Sequence, residues 1–285
     1  MRIAIGVDWS DQAFTAVTQT FRTYHPTDVT LVHGVNLGFF EQPIIAEITN
    51  LQGYDDFRNA MVDSGHQLLT RAAAMIPPDV KSVRKINEIG SPAQVVLDAA
   101  HTVAADLVVV GARGRSRVAE TVLGSVSHRV LSHGSRPTLI VKGPARPIHR
   151  VLVAVEGKDD ADRITEWLTK HEFATPVELC VFNSVVPIGL DSPYDALGAR
   201  AWWEGAERYA EEFVKSTAAK ILDSRYTVST KVAVGNPAEM VEEEAKAMDL
   251  VVVASHGRKG IERFLLGSVS HAIVHHVTCP VLVIR

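Results

Sequence analysis

Cysteine is almost missing from this chain. Only Cys180 and Cys279 occur in 285 residues, which excludes a disulfide-stapled secreted scaffold and predicts two reduced thiols in apolar surroundings. No apolar run approaches the ~18 residues that a membrane-spanning helix needs. Charge of one sign is lacking too: 29 Lys and Arg stand against 33 Asp and Glu, a net charge of −4, so no general nucleic-acid surface is expected. No glycine-rich stretch runs into the Gly-Lys-Ser/Thr of a Walker A loop, and none reads G-x-G-x-x-G. A Gly-x-Ser-x-Gly nucleophile elbow is likewise absent. The opening residues MRIAIGVDWS hold one Arg and an apolar stretch cut short by Asp8. That pattern predicts no secretory signal and a cytoplasmic location.

What the chain does have is a repeat. Residues 108–128 read VVVGARGRSRVAETVLGSVSH, and residues 251–271 read VVVASHGRKGIERFLLGSVSH. Gly114 to Gly257 and Gly124 to Gly267 share one offset of 143 residues, and GSVSH recurs letter for letter. Agreement of that length marks an internal duplication. Each copy is an apolar run, a glycine loop and a resumed apolar pattern, which predicts strand, loop and helix start. Two readings of such a loop stand open. Glycines let backbone approach an anion, and the free amides of a helix start favour phosphate. A plain tight turn packed by glycines has the same spelling.

The rest of each half alternates strand and helix patterns. Residues 3–7 form a β-branched run that stops at Asp8, and Ser10 or Asp11 can cap a helix with Ala13, Phe14, Val17 and Phe21 on one face. A strand over 29–35, a long loop over 36–50 and an amphipathic helix marked by Leu51, Phe57, Met61, Leu68 and Met75 follow. Residues 81–89 suit an edge strand, Ser91-Pro92 opens a helix, and 107–110 and 138–141 are buried strands. Residues 151–155 end at Glu156 and restart the sequence of elements. The expected architecture is α/β: two tandem, doubly wound, five-stranded parallel-sheet domains of Rossmann-like type, paired as a pseudo-dimer. The expected bounds are 1–143 and 149–285, with 144–148 as linker. Residues 1–143 hold 13 basic and 13 acidic side chains, and residues 144–285 hold 16 and 20. The first half is therefore the kinder to an anion.

With G-x-x-G, nine residues and G-S, an aspartate after the first strand and LVH in the second, the sequence resembles the universal stress protein family in its tandem, nucleotide-binding form. The resemblance covers the whole chain twice. It implies an ATP pocket in each intact domain, with ADP or AMP as alternatives and Mg²⁺ or Mn²⁺ bridging the phosphates. By position, Val7 and Asp8 would meet the adenosine end and Gly34 would hold adenine by its backbone. Gly111, Arg113 and Gly114 would line ribose and phosphates. Gly124, Ser125, Val126 and Ser127 would bind phosphate through amides and hydroxyls. In the second copy Gly257, Gly267, Ser268 and Ser270 keep the phosphate half, but Glu156 replaces the aspartate and Ala254 the first glycine. The first domain is therefore expected to bind ATP and the second to bind weakly or to hold something smaller.

No catalytic constellation stands out. His128 and His271 follow the phosphate loops, and read most simply as helix-face histidines. His271 and His275 sit at i and i+4, a metal-compatible spacing without an evident third ligand. The resemblance thus implies a nucleotide-dependent sensor or regulator of a stress response, with hydrolysis slow or absent, domains pairing through their last strands, a possible homodimer and an unnamed regulatory partner. The alternatives are an ATP-cleaving or nucleotidyl-transfer enzyme of related fold, and a ligand-free interaction scaffold.

Overall fold

Runs such as LVVVG and LVVVA are buried at every position, as strands covered on both faces require. A computed structural model describes residues 1–38, 53–114, 123–186, 196–221, 225–255 and 266–285. The chain divides into two units, Met1–Ala145 and Arg146–Arg285. Among the described residues no helix is long and apolar enough to cross a membrane.

Unit 1 runs β1 (Arg2–Gly6), α1 (Asp11–Thr23), β2 (Asp28–Val35), α2 (Tyr54–Ala73), β3 (Ser82–Ile89), α3 (Pro92–Thr102), β4 (Leu107–Gly111), α4 (Ser125–His133) and β5 (Thr138–Val141). Its strands are parallel in the order β3-β2-β1-β4-β5. Ile3, Ile5, Leu31, Leu107, Leu139 and Ile140 are almost fully excluded from solvent, each worth about 1.5–3 kcal/mol of transfer free energy. The order reverses at β1: the chain first winds outward through β2 and β3, then returns to β4. In such sheets the carboxyl ends of the strands at the reversal splay apart and leave a crevice.

Unit 2 repeats the plan with β6 (Arg150–Ala154), α5 (Lys158–Lys170), β7 (Val177–Val185), α6 (Ala196–Ala218), β8 (Tyr226–Val234), α7 (Pro237–Ala245), β9 (Leu250–Ala254), α8 (Ser268–His276) and β10 (Val281–Ile284). The order is β8-β7-β6-β9-β10, again parallel. The doubly wound α/β expectation is met in both units.

Local chemistry explains the helix positions, with some departures from the sequence pattern. Ser10 caps α1, its Oγ accepting from the Ala13 amide at 3.2 Å. The inner face of α1 carries Ala13, Ala16 and Val17. Phe14 is half-buried, with the Arg71 guanidinium 4.7 Å from its ring centre. Leu68, Leu69 and Ala72 form the buried face of α2, whereas Phe57 is 44% exposed. The expected loop over 36–50 and the pattern residue Leu51 lie largely outside the described residues. Pro92 opens α3 and Ala93, Val95, Val96, Ala99 and Ala100 face inward. Each unit also ties the start of its first strand to the acid before its fourth. Asp106 Oδ2 accepts from the Arg2 amide at 2.8 Å, and Asp249 Oδ2 from the Arg150 amide at 2.9 Å.

Candidate functional site

A cavity of about 420 Å³ opens at the carboxyl ends of β1 and β4 in unit 1. The β1 end supplies Gly6, Val7, Asp8 and Trp9, and β2 supplies Val32 to Asn36. Val110, Gly111, Arg113 and Gly114 form the β4 side, and Val126 and Ser127 of α4 close it. Met61 and Ser64 of α2, with Pro92 and Val96 of α3, complete the wall. Of the sequence-nominated residues, Val7, Asp8, Gly34, Gly111, Arg113, Gly114, Val126 and Ser127 share this cavity. Gly124 and Ser125 do not line it. Gly124 is the N-cap of α4, its amide donating to the Ala112 carbonyl at 2.8 Å, and Ser125 is exposed.

The polar groups are already organised. Asp8 Oδ1 accepts from the Ser10 amide at 2.9 Å and from the Ser10 hydroxyl. The Ser127 hydroxyl is buried and donates to the Gly111 carbonyl at 2.6 Å. That hydroxyl is therefore engaged within the fold rather than offered to the cavity. The N-cap of α4 is a glycine with no side-chain cap, so first-turn amides keep the donor capacity that a helix start leaves unused. His33 donates from Nδ1 to the Val7 carbonyl, 2.8 Å away, because a carbonyl can only accept.

Three glycines of the cavity wall stand where the chain itself approaches closely. A Cβ at Gly34 would stand 2.6 Å from Pro92 Cα, one at Gly111 would stand 2.9 Å from the Gln12 backbone, and one at Gly114 would stand 2.6 Å from Asp8 Oδ2. A Cβ at Gly124 would meet nothing nearer than 3.4 Å.

Unit 2 has a cavity of about 460 Å³ at the same place in its fold, at the ends of β6 and β9. Ser270 lines it, its hydroxyl donating to the Ala254 carbonyl at 2.7 Å as Ser127 does to Gly111. Gly267 and Ser268 do not line it; the Gly267 amide donates to the Ser255 carbonyl at 2.7 Å. Gly257 lies outside the described residues. Asn183 copies His33, its Nδ2 donating to the Val155 carbonyl at 2.7 Å.

The walls otherwise differ, at positions outside the shared motif. Ser184 holds the penultimate place in β7 that Gly34 holds in β2, and its hydroxyl donates to the Gly235 carbonyl at 2.8 Å. Gly157 follows Glu156 where Trp9 follows Asp8. Helices α2 and α6 end at Ala73 and Ala218, an offset of 145 that Gly90 and Gly235 repeat. On that offset Ser64, which accepts from Trp9 Nε1 at 3.2 Å, corresponds to Tyr209. Asp160, the counterpart of Gln12, is buried and accepts from the amides of Glu156 (2.6 Å) and Gly157 (2.8 Å). Burial pushes its carboxyl above the ordinary aspartate range, against those bonds and the nearby Arg163 charge. His128 is exposed on α4 and off the unit 1 cavity, and the rings of His271 and His275 pack 4.3 Å apart on α8.

The sequence profile of the universal stress protein family matches twice, over residues 1–142 and 147–285. The chain belongs to the universal stress protein family. Among relatives, a universal stress protein of Mycolicibacterium smegmatis is 28% identical over 297 residues, covering 99% of this chain and 96% of that protein. One from Mycobacterium tuberculosis is 29% identical over 308 residues, covering 99% and 94%. Among solved structures, a universal stress protein from Archaeoglobus fulgidus superposes with a TM-score of 0.65 at 20% identity, covering all of this chain and 96% of that one. A putative universal stress protein from Pseudomonas aeruginosa gives 0.58 at 14% identity, covering 99% and 92%. At those identities the structural likeness speaks for the fold.

Proposed function

We propose that unit 1 binds an adenine nucleotide, ATP ahead of ADP and AMP, and acts as a nucleotide-dependent sensor or regulator in a stress response. The observation that carries the reading is the meeting of two features at one cavity. The Gly111–Gly114 turn exposes backbone there, and the start of α4 brings Val126 and Ser127 to the same wall without a capping side chain. Main-chain donors and a helix dipole at a cavity of this kind suit a phosphate chain. Arg113 adds a cation. The apolar remainder, with Val7, Val35, Met61 and Val96, suits a flat base.

Occupancy rather than turnover is the expected output. Asp8 is the one carboxylate among the described lining residues, and one of its oxygens is held by Ser10. No lysine lines the cavity among the described residues. Mg²⁺ or Mn²⁺ would take its ligands chiefly from phosphate oxygens and water, with Asp8 as the available protein carboxylate. A cytoplasmic location and a homodimer belong to the same reading.

The test is mass spectrometry of the nucleotide that co-purifies with the full chain, with occupancy per chain. A single adenine nucleotide per chain, lost in Gly114→Ala, supports the proposal. Protein that carries no nucleotide and gains no thermal stability from ATP, ADP or AMP rejects it. Rapid ATP turnover would move the protein to the enzyme class.

A further inference from the structure

We propose that the unit 2 cavity is a separate site for a small aromatic amine, a planar ring bearing a protonated nitrogen, and not a second nucleotide site. This goes beyond the reading of unit 1 and does not depend on it. The argument starts from charge. Glu156 and Asp160 line the cavity, and no Lys, Arg or His does so among the described residues. In unit 1 a single carboxylate is balanced by Arg113. The start of α8 reaches the unit 2 cavity through Val269 and Ser270 and contributes about half a positive charge. Glu156, exposed at the cavity, opposes it, and Asp160 adds a buried acidic group whose oxygens hold the Glu156 and Gly157 amides. Among the described lining residues the side-chain charge is therefore acidic, which favours an ammonium over a polyphosphate.

The second observation is aromatic. Trp202, Tyr209 and Phe213 recur at helical spacing on α6, and all three line the cavity. Trp202 is 49% exposed and Tyr209 is 73% exposed, so neither ring is consumed by the core. On the 145-residue offset their counterparts on α2 are Phe57, Ser64 and Leu68, of which Ser64 alone is among the described residues lining the unit 1 cavity. Aromatic faces beside carboxylates are the chemistry that recognises organic cations. The Trp9-to-Gly157 change removes a large ring from the β6 side, while Ser184 adds a side chain where unit 1 requires glycine.

Calorimetric titration of the full chain, saturated with ATP, compares tryptamine with indole-3-propionate. The pair shares one ring system and differs in the sign of its charge. Tryptamine is expected to bind at least ~10-fold more tightly, the scale of a desolvated cation–π contact. Trp202→Ala should weaken tryptamine by about tenfold, and Glu156→Gln should shrink the preference over indole-3-propionate to about threefold. Both side chains are exposed, so neither variant threatens folding, and bound ATP should stay constant. Absent tryptamine binding, equal affinity for both ligands, displacement of tryptamine by ATP, or indifference to both substitutions would overturn the proposal. The nucleotide count on unit 1 is read in the same sample, so the two readings fail separately.

Discussion

Two glycines of the shared motif, Gly114 and Gly124, are predicted to respond very differently to a methyl group. At Gly114 the added Cβ would lie 2.6 Å from Asp8 Oδ2, whereas ordinary contact begins at 3.4 Å. The carboxylate must give way by the difference. It cannot do so freely, because its other oxygen accepts from the amide and hydroxyl of Ser10, the residue that caps α1. Losing a bond to a charged acceptor costs about 1.5–3 kcal/mol when buried. Asp8 is only half-buried, so water restores part of this and about 1 kcal/mol is the reasonable expectation. For a unit of this size that lowers Tm by roughly 4 °C. Asp8 also sits on the cavity wall, so Gly114→Ala should weaken nucleotide by at least about tenfold, as a displaced binding group does. At Gly124 the Cβ meets Arg113 Cα at 3.4 Å with φ at −66°, a conformation any residue adopts. Gly124→Ala trades a poorer N-cap residue against lower unfolded-state entropy, two effects of about 0.5–1 kcal/mol that oppose each other. Nucleotide affinity should change by less than about threefold, since its amide already serves the Ala112 carbonyl. Thermal melts and nucleotide titrations of both variants check this. A Gly124→Ala variant as damaged as Gly114→Ala would refute the account of why these glycines are there.

Gly34→Ala should destabilise unit 1 by about 1–3 kcal/mol, because its Cβ would meet Pro92 Cα at 2.6 Å; chemical denaturation reads it, and an unchanged midpoint counts against the close packing of β2 on α3. Ser127→Ala leaves the buried Gly111 carbonyl without its hydroxyl donor, a loss of about 1–3 kcal/mol that should appear as lower stability whether or not nucleotide is present. For Asp160 the sign follows from burial. Its carboxyl holds a proton to higher pH in the folded unit than in the unfolded chain. Its contribution to stability is therefore fully present below the unfolded value and falls away as pH rises through the folded one. The stability gap between the native chain and Asp160→Asn, measured by urea unfolding across the acid range, should widen as pH falls; a gap that widens toward neutral pH contradicts the burial argument.

The elements were legible in the sequence wherever periodicity and burial coincide. Leu107–Gly111 and Thr138–Val141 are buried at every position, and their β-branched spelling says so. Helix faces were less legible. The inner face of α1 includes Thr20 and Gln19, whose amide bonds Thr23 inside the core, and no hydrophobic count would nominate them. At the candidate site, the motif residues after β1 and β4 were readable because their spacing repeats. The rest of the wall was not. Met61, Ser64 and Pro92 arrive from elements with no motif of their own, and only the fold brings them in. Gly34 looked like a backbone contact for a ligand, yet its nearest obligation is to Pro92. The Ser127 and Ser270 hydroxyls looked like phosphate contacts, and each bonds the carbonyl at the end of the strand that precedes its helix. Spacing shows that two residues are coupled; it does not show which partner each one faces.

The exchange of Trp9 and Ser64 for Gly157 and Tyr209 has a consequence for dosage. Two separate proteins with unlike pockets can be made in any ratio. Here the unlike pockets are translated from one message, so every molecule carries the pair in fixed proportion at any expression level. On the two proposals made above, a cell using this chain would read two small-molecule pools against each other without having to balance two genes.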